Sequence, residues 1–220
     1  MDKGRVLALI EAKIREIGYH PTTMILDAAK FGVPQHRERV YIVAFRDQLA
    51  SSIFKVPSSD SYLPQSPFNV IDMTTARDTK YYYTNATEIG RAVCAEVTPG
   101  SVYQWRRKYV RENKSGVCPT LTANMGCGGH NVPIIHDGFG VRKLTPRECF
   151  IIQGFPDSFE LPALSDSALY KQIGNSVCVP VIKAVANEIF ITLSTCDMFA
   201  MMSTMTMTPV TTIVGTTSTI

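Results

Sequence analysis

A chain of 220 residues with 45% hydrophobic side chains can bury a core of ordinary size, as one domain or as a domain with an appended module. Its net charge of +3, from 22 lysines and arginines against 19 acidic residues, is a small excess, so affinity for a polyanion must come from local clustering of charge. No apolar run approaches the ~18 residues that span a bilayer, the amino terminus is charged throughout, and six cysteines fall at irregular spacings without Cys-x-x-Cys. A cytoplasmic chain with reduced thiols and no membrane partner is expected.

In chain order, residues 3–17 place Val6, Leu7, Leu9, Ile10, Ile14 and Ile17 on or near one face, which predicts an amphipathic helix stopped at Gly18. Thr22–Leu26 reads as a strand. The loop Gly32-Val33-Pro34-Gln35-His36-Arg37-Glu38-Arg39 follows, and Val40–Phe45 is a continuous apolar run of strand type. From Ser51 to Thr79 periodicity is lost among Pro57, Pro64 and Pro67, so a connecting region is expected.

Residues 80–135 are rich in aromatics, cations and glycines. Ser101–Ser115 holds five cations (Arg106, Arg107, Lys108, Arg111, Lys114) against Glu112 alone, interleaved with Tyr103, Trp105 and Tyr109. Cations for phosphates and flat rings for bases or sugars suit a nucleic-acid surface; a solvated strand face is the plainer reading. The glycines of Gly126-Cys127-Gly128-Gly129 precede strand-like Val132–Ile135 and no helix, so a dinucleotide fingerprint fails on context. A backbone free of side chains could instead pass close to a large partner. Cys118, Cys127, His130 and Cys149 would be four zinc ligands at loose spacings; no metal is expected.

Thr145-Pro146-Arg147-Glu148 reads as an N-cap, a first-position proline and a charged first turn opening a helix through Ile152. Gly174-Asn175-Ser176-Val177 reads as the opening of another helix, carrying Val181, Ile182, Val185, Ala186 and Ile189 at helical spacing. For an isolated Gly-Asn-Ser, simple capping suffices. The tail from Ser194 to Ile220 holds nine threonines and five of the nine methionines, with Asp197 its only charge, and reads as a low-complexity tail, either a disordered extension or a read-through into unrelated sequence.

Together these blocks resemble the DNA cytosine-5 methyltransferase family. GVPQHRERVYIVAF is similar to the family's Gln-x-Arg-x-Arg block and its strand, CPTLTANMGCGGHNVP to the end of its target-recognition region, and RKLTPRECFIIQGFPDSF and YKQIGNSVCVPVIKAVA to its last two blocks. The resemblance covers about residues 3–191. It implies an α/β fold: the later portion of a Rossmann-like S-adenosylmethionine-dependent methyltransferase domain with a smaller, mostly β DNA-recognition domain. The expected organisation is catalytic α/β in 1–79, target recognition in 80–165, a helix returning to the catalytic domain in 166–193 and the tail in 194–220.

The family's reaction adds a cysteine thiolate to C6 of a flipped-out cytosine, transfers the methyl of S-adenosylmethionine to C5 and releases the product by elimination. By the match, Arg39 is the catalytic group, its guanidinium stabilising charge that develops on the ring. Gln35 and Arg37 would hold the loop and nearby phosphates. Arg106, Lys108, Thr120, Leu121, Thr122, Asn124, Gly126, Gly128 and Gly129 would meet double-stranded DNA, as in restriction-modification enzymes. Asn175, Ser176 and Val177 would line the cofactor pocket, a helix start offering free N–H groups to a carboxylate.

The family's nucleophile sits in a Pro-Cys pair, yet the residues before the six cysteines are Val93, Val117, Gly126, Glu148, Val177 and Thr195. Nor is there a glycine-rich cofactor motif or a strand-borne Glu-Asn-Val; Glu112-Asn113-Lys114 falls in the basic module. The expectation is therefore an incomplete methyltransferase, a truncated fragment or a split subunit, inactive without a complementary amino-terminal half. The alternative is a non-catalytic DNA-binding or regulatory remnant.

Overall fold

The computed structural model describes residues 4–126 and 132–205. They fall into two compact units, one built from the described residues of 4–22, 43–56 and 186–205, the other from those of 23–42 and 57–185. Helix α1 (Arg5–Glu16) ends before Gly18, whose φ of 82° is open to glycine at little cost. Strands β1 (His20–Asp27) and β2 (Glu38–Phe45) pair in a two-stranded sheet, close to the expected limits. The region expected as pure connection contains two short helices, α2 (Gln48–Ile53), capped by Asp47, and α3 (Pro67–Val70), capped by Ser66 with proline at its first turn.

In the second unit α4 (Glu88–Glu96) precedes β3 (Tyr103–Arg106), β4 (Tyr109–Glu112), β5 (Ile134–His136) and β6 (Val141–Lys143), which form an antiparallel sheet in the order β4-β3-β5-β6. Side chains alternate across it. Tyr103, Trp105, Val110, Ile134 and Val141 bury with Val93 of α4 and with its C-cap Val97, while Ile135 joins a second core with Leu121, Met125 and Leu144. The segment 80–165 thus shares a core with residues on both sides of it, because Ile71, Tyr170 and Ile173 belong to that second cluster.

Helix α5 (Pro146–Ile152) opens on the expected cap: Thr145 Oγ1 accepts from Glu148 N, and Glu148 Oε2 accepts from Thr145 N. Glu148 also accepts two bonds of 2.8 Å from the fully buried Arg142, which ion-pairs with Asp137. Helix α6 (Asp166–Asn175) is capped by Ser165, and α7 (Val179–Met205) follows. Two expectations change here. Gly174-Asn175-Ser176 closes α6 and does not open α7, and the helix passes through 194 to 205, since no glycine or proline interrupts residues 181–205 and Thr195 turns its hydroxyl back onto Ile191 O. An 18-residue window in 166–202 reaches a mean hydropathy of 1.6, long and apolar enough to cross a membrane by length and composition alone, which revises the expectation from sequence.

Candidate nucleic-acid and catalytic site

The loop between β1 and β2 is held by an isolated parallel bridge between Gln35 and Cys118. Cys118 N donates to Pro34 O (2.8 Å), His36 N to Cys118 O (3.0 Å) and Thr120 Oγ1 to His36 O (2.7 Å). Gln35 is wholly buried: Leu121 N donates to its Oε1 and its Nε2 donates to Gln153 Oε1. Gln153 Nε2 donates in turn to Ile173 O at 2.8 Å and to the Ser176 hydroxyl. Two amides thereby join loop, turn and helix end with their polar atoms satisfied.

Arg37 and Arg39 have different surroundings. The Arg37 guanidinium is buried and donates to Leu121 O (2.8 Å), Gly174 O (3.1 Å) and Ser176 O (2.9 Å). It caps the last carbonyls of α6, where a positive charge also meets the negative end of the helix dipole. Burial, and then the charge of Arg39, pull its pKa below the usual arginine value. Arg39 is exposed, its Nη1 donating to its own neighbour Glu38 O at 2.7 Å. Below the loop, Asp27 accepts from Arg37 N and pairs with His36 Nδ1; burial alone would raise its pKa, but these bonds hold it lower.

Gly174 is required by close approach. A Cβ there would lie 2.2 Å from Thr122 C and 2.3 Å from Ala123 N, so the end of α6 rests on the backbone of the 122–123 turn. Gly126 has φ 79°, and a Cβ on it would sit 2.5 Å from the Tyr170 ring. Packing on Tyr170 explains this glycine.

The expected DNA-contacting residues therefore divide. Gln35, Arg37 and Leu121 are buried, and the bonds of Gln35 and Arg37 run inside the unit, where they hold the loop. Arg106 and Lys108 are exposed at the β3–β4 hairpin. Between them Arg107 takes φ 61°, a conformation that favours glycine, so the tip carries its cation at a cost of roughly 1–2 kcal/mol. Thr120 and Thr122 are half-buried and Asn124 is exposed, accepting from Thr122 Oγ1 at 2.6 Å. Gly128 and Gly129 lie outside the described residues. Of the expected cofactor residues, Asn175 and Val177 are exposed, while the Ser176 hydroxyl is engaged by Gln153 and Ile173. Gln153 and Gly174 carry no signal of their own in the sequence; a buried amide and a contact-forced glycine show themselves only when the elements meet.

The model of the family described as C-5 cytosine-specific DNA methylase matches residues 1–191. The chain belongs to that family. It is 46% identical over 192 residues to the type II methyltransferase M.Bsp6I of Bacillus sp. (strain RFL6), covering 86% of this chain and 61% of that protein. Against the type II methyltransferase M.NlaX of Neisseria lactamica the identity is 35% over 196 residues, covering 88% and 59%. The chain thus spans about 60% of the length of these relatives. The fold is shared with the Entamoeba histolytica methyltransferase EhMeth (TM-score 0.64, 16% identity, 86% of this chain and 58% of that one) and with a Spodoptera frugiperda DNMT2 mutant (TM-score 0.61, 21% identity, 84% and 62%). This family membership accounts for the α/β architecture and for the ordered blocks read from the sequence.

Proposed function

We propose that this chain is the DNA-reading and cytosine-polarising part of a DNA cytosine-5 methyltransferase of a restriction-modification system. The observation that carries the reading is the division of labour in Gln35–Arg39: one arginine is consumed in fastening the loop, and the other is exposed at the start of β2, directly after that fastened loop. Cytosine is a poor electrophile until charge accumulating on its ring is stabilised. Arg39, permanently cationic, would donate to the O2 carbonyl as a nucleophile adds at C6, and Arg37 adds a second positive charge that needs no rearrangement.

The nucleophile is assigned to a complementary amino-terminal half. Burial pushes the thiols of Cys118 and Cys149 well above their ordinary range and that of Cys178 up to about 11, even though Arg37 and Arg39 favour its thiolate. A thiol of that kind is ionised in roughly one molecule in ten thousand at neutral pH. No proline precedes any cysteine of the chain. The half would also cover the first unit's exposed apolar side chains, Leu9 on α1, Ile17 at its C-cap, and Phe190, Leu193 and Met198 on α7.

S-adenosylmethionine is the methyl donor in this reading and supplies the group that C5 accepts. The exposed Asn175 amide and the adjacent Val177 fit it as a polar anchor and an apolar wall. Because Gly-Asn-Ser ends a helix, a helix-start anion site is not part of the proposal; Ser176 acts by holding Gln153 and, through its carbonyl, Arg37.

The test is transfer of labelled methyl from S-adenosylmethionine to duplex DNA: none by this chain alone, and turnover when the complementary half is added. DNA binding has its own readout. Neutralising Arg106 and Lys108 together weakens binding to target and scrambled duplexes alike and lowers the slope of log affinity against log salt by about one unit for each phosphate that is no longer neutralised. An unchanged slope would mean that other cations meet the phosphates.

A further inference from the structure

The hairpin presents one face to the core and the other to a cleft. Register pairs Gln104 with Arg111 and Arg106 with Tyr109, so these four share the face opposite Tyr103, Trp105 and Val110. The cleft has a volume of about 380 Å³ and is lined by Gln104, Arg106 and Arg111 from the hairpin and by Thr120, Thr122 and Asn124 from the turn beside it. Gln104 is only 8% exposed, and its amide has no hydrogen-bond partner among the described residues. The other two buried glutamines of the unit are fully engaged, Gln35 with Leu121 and Gln153, and Gln153 with Gln35, Ile173 and Ser176. Among the described residues, then, the Gln104 amide is the one buried glutamine head left open to the cleft, where it can exchange water for a group from outside.

We propose that Gln104 is a specificity-determining residue that reads the major-groove edge of a purine in the target site. The proposal rests on the DNA-binding reading above. Phosphates are met by the exposed cations at the rim, whereas a neutral amide recessed between two arginines gains little from a phosphate. What it offers is a donor and an acceptor in one plane, the pattern that fits a base edge; its NH₂ can donate to N7, an acceptor common to adenine and guanine.

The experiment is selection of duplexes from a randomised pool by the full chain, alone and with the complementary half, comparing wild type with Gln104→Ala and Gln104→Met. The expected result is that both variants enrich the wild-type site with discrimination relaxed about tenfold at one purine position and its symmetry mate, while affinity for unselected duplexes stays within about twofold. Replacing that purine with its 7-deaza analogue should then weaken wild type by a similar factor and leave Gln104→Ala unaffected. Melting curves of both variants keep folding separate from readout, the methionine preserving bulk in case alanine opens a void. If both variants enrich the wild-type site with every position unrelaxed, the proposal is overturned and Gln104 is a packing residue. If the wild type enriches no site at all, the DNA-reading function falls and this inference with it.

Discussion

In an enzyme reconstituted from this chain and its complementary half, Arg39→Ala lowers the chemical step by about 10²–10³, the scale on which loss of one charge-stabilising donor is felt. Duplex affinity is expected to change little, because the proposed phosphate contacts are on the hairpin and the loop leading into Arg39 at the start of β2 is fixed by Gln35 and Arg37. Arg39→Lys rescues poorly, since a point charge on a flexible stem does not reproduce a planar fork. Single-turnover rates at saturating DNA and cofactor isolate this step. Wild-type rates in both variants would remove Arg39 from the chemistry.

Arg37→Ala has the opposite signature. Three backbone carbonyls, of Leu121, Gly174 and Ser176, lose a charged donor in a buried site. With each such bond worth about 1.5–3 kcal/mol and part of the loss recovered by entering water, a destabilisation on the order of 3–5 kcal/mol is expected, or about 10 °C in melting temperature. Arg37→Lys recovers a fraction, since one ammonium cannot span three carbonyls on separate segments. Thermal melts of the isolated chain measure this directly, and Arg39→Ala, whose side chain is exposed, should melt within about 1 °C of wild type. Equal melting of Arg37→Ala and wild type would mean that the three-way clamp contributes nothing.

What the sequence made legible, and what it hid, follows from the range over which each feature is decided. Helix α1, strands β1 and β2 and the Thr145–Glu148 capping box depend on periodicity and on neighbours within a few residues, and they lie close to where the pattern puts them. The role of Arg37 depends on carbonyls 84, 137 and 139 residues away, so spacing alone could not separate it from Arg39. Gly-Asn-Ser suits either end of a helix; only the cap at Ser165 and the length of α6 show that it is a terminus. Arg142, fully buried against Asp137 and Glu148, looks from sequence like one more surface cation. The threonine- and methionine-rich tail lacks charge pattern but has no glycine or proline before Pro209, and α7 continues into it as far as residue 205.

In the proposed division of labour this chain supplies the reading and polarising groups and a complementary half supplies the thiolate. A duplex carrying 5-fluorocytosine at the target position lacks the C5 proton whose loss releases the product, so a thiolate that has added to C6 stays bonded to the DNA. Incubating that duplex with S-adenosylmethionine, this chain and the complementary half, then separating the chains under denaturing conditions, identifies which polypeptide carries the DNA. The expected result is an adduct on the complementary half, dependent on the presence of this chain and reduced by Arg39→Ala. An adduct on this chain, formed with or without the half, would put the nucleophile here and overturn that division of labour.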